Sequence, residues 1–219
     1  MLVQNEFFFM NLARACGIPT AKVQIIEDRD KNTGLLVERF DRQYLSKEKK
    51  ITKIHQEDAC QFLNHYPADK YRVSYRNIAD GLTQWATTPV LAVAALIQQM
   101  AFSYLIHNGD LHAKNISLFQ DRKTNQIHLT PAYDLLSTLP YGDKSTALHL
   151  DGKMDNWRRL DFLVFGESFG VNTKVTNRIL NGLGKTVEKN LGYLSQIGLT
   201  EKKSKFLQVS IQKRLADLN

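Results

Sequence analysis

Residues 107–119 read HNGDLHAKNISLF, a cluster of one Asp, two His, one Lys and two Asn set between two apolar tracts. The tract before it, TPVLAVAALIQQMAFSYLI from Thr88 to Ile106, is long enough for about five helical turns. Thr88 suits the N-cap, and Pro89 the first helical position, where a missing N–H costs nothing. The tract after it, Ile116 to Phe119, alternates like a strand. The stretch therefore predicts a long buried helix, a sharp polar loop and a strand. Charged and amide side chains gathered on a loop between rigid elements mark a candidate site, because such loops are where chemistry tends to sit.

Around that stretch the composition is ordinary for a globular protein. The 219 residues are 43% hydrophobic and 23% charged, without repeats or low-complexity segments, which predicts one large domain or two lobes with a cleft. The net charge of +7 is spread along the chain, with local runs at KEKK (Lys47 to Lys50), EKKSK (Glu201 to Lys205) and Trp157-Arg158-Arg159. It favours anionic ligands, but such runs read as solvated faces ahead of nucleic-acid sites, so direct nucleic-acid binding is not expected. Cys16 and Cys60 make neither a disulfide framework nor a zinc site, which fits a reduced, cytoplasmic setting. The most apolar segment, Val90 to Ile106, is broken by Gln98, Gln99 and Ser103 and reads as a buried helix; neither a membrane span nor a signal peptide is visible.

The rest of the chain divides unequally. In NEFFFMNLARACGIP an apolar stripe stops at Gly17 and Pro19, which predicts a short helix with Phe7 to Phe9 in the core. KVQIIED and GLLVERF then flank DRDKNT as two antiparallel strands. HQEDACQFL has helical spacing, with Glu57 and Asp58 on the helix surface, and NIADGLTQWA is a second helix. After the polar cluster, ISLFQD and QIHLTPAYD flank RKTN as an internal hairpin, and from Asn156 onward the pattern is helical to the end. A small leading piece of helix plus hairpin is thus joined through ERFDR, with Asp41 and Arg42 as a structural ion pair, to a larger and mainly helical piece.

A hairpin returns the chain to its starting edge, so Asp134, in PAYDLLST, can come back beside Asn115, five residues after Asp110. A carboxylate and two further oxygen ligands would then share one cleft. Phosphoryl transfer needs that set: hard oxygens for Mg²⁺ on the phosphates, and an Asp to orient the attacking hydroxyl and take its proton. The order Asp-x-x-x-x-Asn, hairpin, Asp resembles the catalytic loop and metal motif of the protein-kinase-like superfamily. More closely, HNGDLHAKNISLF, LTPAYDLLST, VERFDR and HQEDACQ together resemble the HipA family of serine/threonine kinases, the toxins of bacterial toxin–antitoxin pairs.

That resemblance implies an α+β, protein-kinase-like two-lobe fold: residues 1–42 as the remnant of a nucleotide-binding N-lobe and hinge, and 43–219 as a helical C-lobe carrying the catalytic loop. It implies ATP and Mg²⁺ as cofactors, Asp110 as catalytic base, Asn115 and Asp134 as metal ligands, and Val37 to Phe40 as the hinge, with Glu38 and Phe40 meeting the adenine through backbone. Glu6 resembles the helix glutamate that positions the ATP lysine. His112 stands where protein kinases carry a Lys, as in small-molecule phosphotransferases, and it and Lys114 are further candidates for nucleotide contacts; Lys114 faces either solvent or phosphate. His107 and His112 otherwise read as hydrogen-bonded loop histidines and not as zinc ligands. Implied partners are a protein substrate and a DNA-binding antitoxin.

The departures are as informative. Lys70-Tyr71 is followed by Arg72-Val73-Ser74 where the family has GGP, and no glycine-rich phosphate cradle with its strand lysine occurs in these residues. The expectation is a kinase core that transfers little phosphate alone and gains activity from an upstream segment, in the same or a separate polypeptide. The alternatives are a degenerate kinase kept as a binding or regulatory module, and a small-molecule phosphotransferase.

Overall fold

The computed structural model describes residues 2–46 and 48–219; Lys47 of the KEKK run lies outside them. Helix α1 (Leu2–Ala15) buries Asn5, Phe9, Met10, Leu12 and Ala13, one stripe at helical spacing. It stops where Gly17 takes a φ of 78°, the left-handed turn that lets Ile18 N–H reach back to the Ala13 carbonyl at 3.0 Å. Strands β1 (Val23–Glu27) and β2 (Thr33–Val37) pair antiparallel from Val23↔Val37 to Glu27↔Thr33. Their turn is fixed by the Asp28 carboxylate, which accepts from the N–H groups of Asp30 and Asn32.

Beyond Phe40 the structure departs from the sequence reading. A second hairpin, β3 (Arg42–Leu45) with β4 (Lys50–Lys53), comes directly after it and forms its own two-stranded sheet. The segment expected to be helical from His55 instead opens as strand β5 (Gln56–Asp58), and only Ala59–Phe62 are helical, as α2. Glu57 and Asp58 therefore lie on a strand and not on a helix surface. Asp58 ends the strand as a cap, accepting from Gln61 N–H while the Gln61 side chain accepts from Asp58 N–H. The internal hairpin of β6 (Ser117–Gln120) and β7 (Ile127–Leu129) becomes a three-stranded sheet, because β5 pairs with β6 from Gln56↔Phe119 to Asp58↔Ser117. Non-local pairing overrode the local helical spacing.

The remaining elements are helices: α3 (Tyr75–Trp85), α4 (Pro89–Leu105), α5 (Arg159–Ser168), α6 (Thr173–Asn190) and α7 (Glu201–Asp217). Pro89 starts α4 as expected, but Thr88 makes no side-chain cap. Helix α4 is buried on nearly every face, with residues 99–105 all inside, so it is the axis on which the other helices pack. The chain is an α+β protein. Trp157, placed by its neighbours among the solvated charges, is fully buried: it stacks on Tyr104 at 5.1 Å, meets Tyr75 and Phe162 edge-on, and donates its indole N–H to the Lys153 carbonyl at 2.9 Å. Arg214 of α7 lies over Tyr104 at 4.3 Å and pairs with Asp155 at 2.8 Å, closing the helical core from the C-terminal side. Trp157→Ala is expected to cost about 3–5 kcal/mol and to lower the thermal midpoint by roughly 10 °C, read by calorimetry. No helix among the described residues is long and apolar enough to cross a membrane.

Candidate active site

The polar stretch leaves α4 through His107, whose φ of 56° turns the chain sharply. Asn108 then accepts from Asp110 N–H at 2.9 Å, and Gly109 donates its N–H to Thr138 Oγ1 at 2.8 Å. A side chain at Gly109 would meet the Ser145 carbonyl at 2.7 Å, so the loop passes too close to residues 143–145 for anything larger. Thr138 also bonds the His107 carbonyl through both its N–H and its hydroxyl. The loop is thus tied to the segment just past Asp134.

Asp134 returns to the loop as the hairpin geometry requires, though by more than the hairpin alone. Thr130 N–H donates to the Ser117 carbonyl at 2.8 Å, and Ala132 exchanges hydrogen bonds with Pro19 and Ala21 at 2.7 and 2.9 Å. That stitch joins the start of the chain to the run into Asp134, which takes a φ of 58°. Asn115 is buried and its amide donates to Asp134 Oδ2 at 2.9 Å and to the Asp110 carbonyl at 3.3 Å. Asp110, Asn115 and Asp134 therefore stand together. Asp110 and Asp134 line a cleft of about 660 Å³ with Glu6, Tyr71 and Asp143.

Two of these carboxyls carry the mark of the crowding. Burial, then the neighbouring Asp110 charge, pushes the Asp134 pKa up, with the Asn115 hydrogen bond opposing. Burial, then Asp134, raises Glu6 to about 7. Acidic groups raised by burial and then by one another's charge, beside the buried Asn115 amide, make a hard-oxygen environment that a divalent cation would relieve. Asp134 and Asn115 are the residues that could hold a Mg²⁺ ion, with the rest of its oxygens from phosphate and water, since no group of three or more His, Cys, Asp or Glu side chains among the described residues could hold a metal by itself.

The other candidates scatter around this set. His112 is buried beside Asp110, Nε2 to Oδ1 3.9 Å, and burial lowers its pKa, opposed by Asp110. Lys114 turns away: its ammonium pairs with Asp58 at 3.0 Å and lines a second cavity of about 610 Å³ with Arg39, Arg42 and Lys53. Val37 ends β2, Glu38 N–H donates to the Lys22 carbonyl at 2.8 Å while its carboxylate points out to Lys22 Nζ, and the Phe40 ring lies 5.8 Å from Tyr133, next to Asp134. Asp41 is an ion-pair centre as expected, held by Arg42 and by both nitrogens of an Arg39 fork. Against the expectation of hydrogen-bonded rings, the His107 nitrogens and His112 Nδ1 have no partner of ordinary geometry; the His107 ring lies against α7, where burial, then the Arg214 charge, hold its pKa down near 4, opposed by the Ser210 backbone.

Three contributors escape a reading of the sequence. Asn5, fully buried on α1, donates to the Ser137 carbonyl at 2.9 Å and accepts from Ser137 N–H at 3.0 Å, so the first helix is clamped three residues past Asp134. Thr138 is the second. Tyr71 is the third, its hydroxyl donating to Asp110 Oδ1 at 2.7 Å. The one sequence signal for it is its place in the Lys70-Tyr71 pair, and that pair by itself says nothing of Asp110.

Residues 1–191 match the HipA-like C-terminal domain family. The chain belongs to that family. It is 33% identical over 196 residues to Y4mE of Sinorhizobium fredii, named as a candidate kinase, covering 84% of this chain and 45% of that protein. Against the serine/threonine-protein kinase toxin HipA of Shewanella oneidensis the figures are 32% over 170 residues, 70% of this chain and 39% of that one. The chain thus spans about half, or less, of the length of these HipA-like relatives. The S. oneidensis HipA, solved with HipB and operator DNA, superposes with a TM-score of 0.76 at 26% identity, covering 98% of this chain and 55% of that one. The Helicobacter pylori proinflammatory kinase CtkA gives 0.66 at 12% identity over 99% and 84%, which shows the fold alone. The α+β architecture is kinase-like.

Glu6 offers a check on the cleft's electrostatics. Its folded pKa lies above its unfolded one, so the native state holds a proton that the unfolded chain gives up, and stability falls as pH rises from about 4.5 to about 7. Glu6→Gln removes that loss. The substitution is expected to stabilise by on the order of 1 kcal/mol at pH 8, after allowing for partial exposure, and by nothing at pH 4, read from thermal melts at both.

Proposed function

We propose that this chain is the catalytic core of a HipA-like serine/threonine protein kinase, moving the γ-phosphoryl group of ATP to a hydroxyl on a protein substrate. The observation that carries the reading is the Asn115 amide holding Asp110 and Asp134 in one hydrogen-bonded set. Asp110 orients the acceptor hydroxyl and receives its proton. Asp134 and Asn115 would hold Mg²⁺, which would supply charge neutralisation at the phosphates. Asn5 and Thr138 fix Asp134 and Asp110 relative to each other, the kind of support a positioned constellation requires. Residues 37–40 form the hinge that meets the adenine through backbone, within a nucleotide-lobe segment of residues 1–42, and residues 43–219 form the C-lobe.

By likeness to the HipA and HipB complex, the reading extends to an antitoxin partner that binds DNA, and to a cytoplasmic setting. The phosphate cradle absent from these residues would come from further residues of the same or a second polypeptide. A small-molecule acceptor is favoured by one observation, the His112 ring beside Asp110 where protein kinases carry a Lys. The test is transfer from γ-labelled ATP to a serine-bearing protein and to a panel of sugars and aminoglycosides. Label on protein seryl groups supports the reading; label only on small molecules replaces it.

A further inference from the structure

Tyr71 is half-exposed, on a turn just ahead of α3, yet it is held from four directions. Its neighbour's carbonyl, on Lys70, accepts from Ala113 N–H of the catalytic loop at 3.1 Å, so the turn is stitched to that loop by backbone. The ring meets the His112 imidazole edge-on at 5.2 Å, and the Lys70 ammonium lies 4.9 Å from its centre. The hydroxyl then reaches Asp110 Oδ1 at 2.7 Å, from within the cleft that holds Asp134.

An acceptor hydroxyl must bond the base at about 2.6–3.2 Å before it can be phosphorylated, which is the contact the phenol already makes. From this juxtaposition we infer that Tyr71 occupies the acceptor seat on Asp110: a substrate hydroxyl engages the base only by displacing the Tyr71 hydroxyl, and Tyr71 thereby sets which acceptors gain entry. The inference rests on the kinase reading above and adds to it. A phenol is well suited to the seat. It is a donor, so it satisfies the carboxylate, and because the residue is half-exposed and the stitch to the loop runs through the Lys70 backbone, the side chain can swing toward solvent without breaking the Lys70–Ala113 bond. Small acceptors such as water are kept off the base by the same contact, which limits idle hydrolysis of the nucleotide.

The experiment uses the protein at its natural length and compares it with Tyr71→Phe, which removes only the hydroxyl. Without nucleotide, the ¹³Cζ signal of Tyr71, assigned by its loss in the variant, should titrate near 12, held up by burial and by the bond to Asp110, and should fall toward the ordinary tyrosine value in Asp110→Asn. An ordinary titration, indifferent to Asp110, would mean that the contact is absent in solution and would overturn the inference. With Mg²⁺-ATP and water as acceptor, Tyr71→Phe should hydrolyse the nucleotide about tenfold faster, the size expected for releasing one hydrogen bond to an ionised carboxylate, with the KM for ATP unchanged. A slower variant would make Tyr71 a support for Asp110 and not an occupant of the seat. Unchanged turnover with the contact intact, or no hydrolysis in either protein, would sink the inference and leave the kinase reading to be judged by label on protein seryl groups; nucleotide that binds with no label reaching any acceptor would sink that reading as well.

Discussion

Asp134→Asn is expected to abolish Mg²⁺-dependent nucleotide binding while leaving the fold as stable as before or more so. The two halves of this result have one cause. In the native chain Asp134 carries its charge in a half-buried position beside Asp110, and its pKa is raised accordingly, so the ionised form is a cost that the fold bears. An amide ends that cost. Asn tolerates the left-handed backbone at this position about as well as Asp, and its oxygen can still accept from the Asn115 amide, so nothing local should collapse. What the amide cannot do is offset the charge of a divalent cation, a contribution of several kcal/mol, and the affinity for Mg²⁺-ATP should fall by about 100-fold or more. Calorimetric titration together with a thermal melt separates the outcomes: lost affinity with a preserved or raised midpoint supports the metal role, and an unchanged affinity refutes it.

The parts of the molecule that the sequence discloses are those in which local pattern and tertiary structure agree. Helix α4, the turn at His107, strand β6 and the recurrence of Asp134 beside Asn115 all derive from the order of apolar tract, polar loop and alternating tract. The leading helix and first hairpin derive from their punctuation at Gly17 and at Asp28 to Asn32. Most of the failures share a physical cause, which is contact between distant segments. Strand β5 is three residues whose helical spacing is overridden by β6, about sixty residues later; the β3–β4 hairpin is the exception, a local pairing from Arg42↔Lys53 to Leu45↔Lys50 that the sequence reading passed over. The Trp157-Arg158-Arg159 run reads as a charged face although its first member is the largest fully buried side chain; its burial depends on Tyr75, Tyr104 and Phe162, from three different helices.

The candidate site divides in the same way. Asp110, Asn115 and Asp134 are legible because their residue types and spacing carry chemistry. Lys114 is an equal choice between solvent and phosphate in the sequence, and it pairs instead with Asp58, a partner that only the β5 register brings near. Asn5 and Tyr71 cannot be found by spacing at all. Each acts across a long sequence separation, 132 residues to Ser137 and 39 to Asp110, and each is a common residue in an ordinary local context.

Asp110→Ala should leave Mg²⁺-ATP affinity within about twofold of the native value and reduce turnover by about 10² to 10⁴, the range for loss of a positioned base. Asp110 does not hold the metal in this account, and its side chain, two-fifths exposed at the mouth of the cleft, serves the acceptor. Removing it also relieves Asp134 of its nearest like charge, so metal affinity has no reason to fall. The measurement that bears most directly on the whole account is therefore transfer of labelled γ-phosphate from ATP to protein hydroxyls, made side by side on the natural-length protein and its Asp110→Ala variant, with nucleotide binding measured on the same samples. The account predicts label transferred by the native protein, transfer lost in the variant, and equal nucleotide binding by the two. Equal transfer by both proteins would contradict it, because the loop between α4 and β6 would then not be where the acceptor is activated.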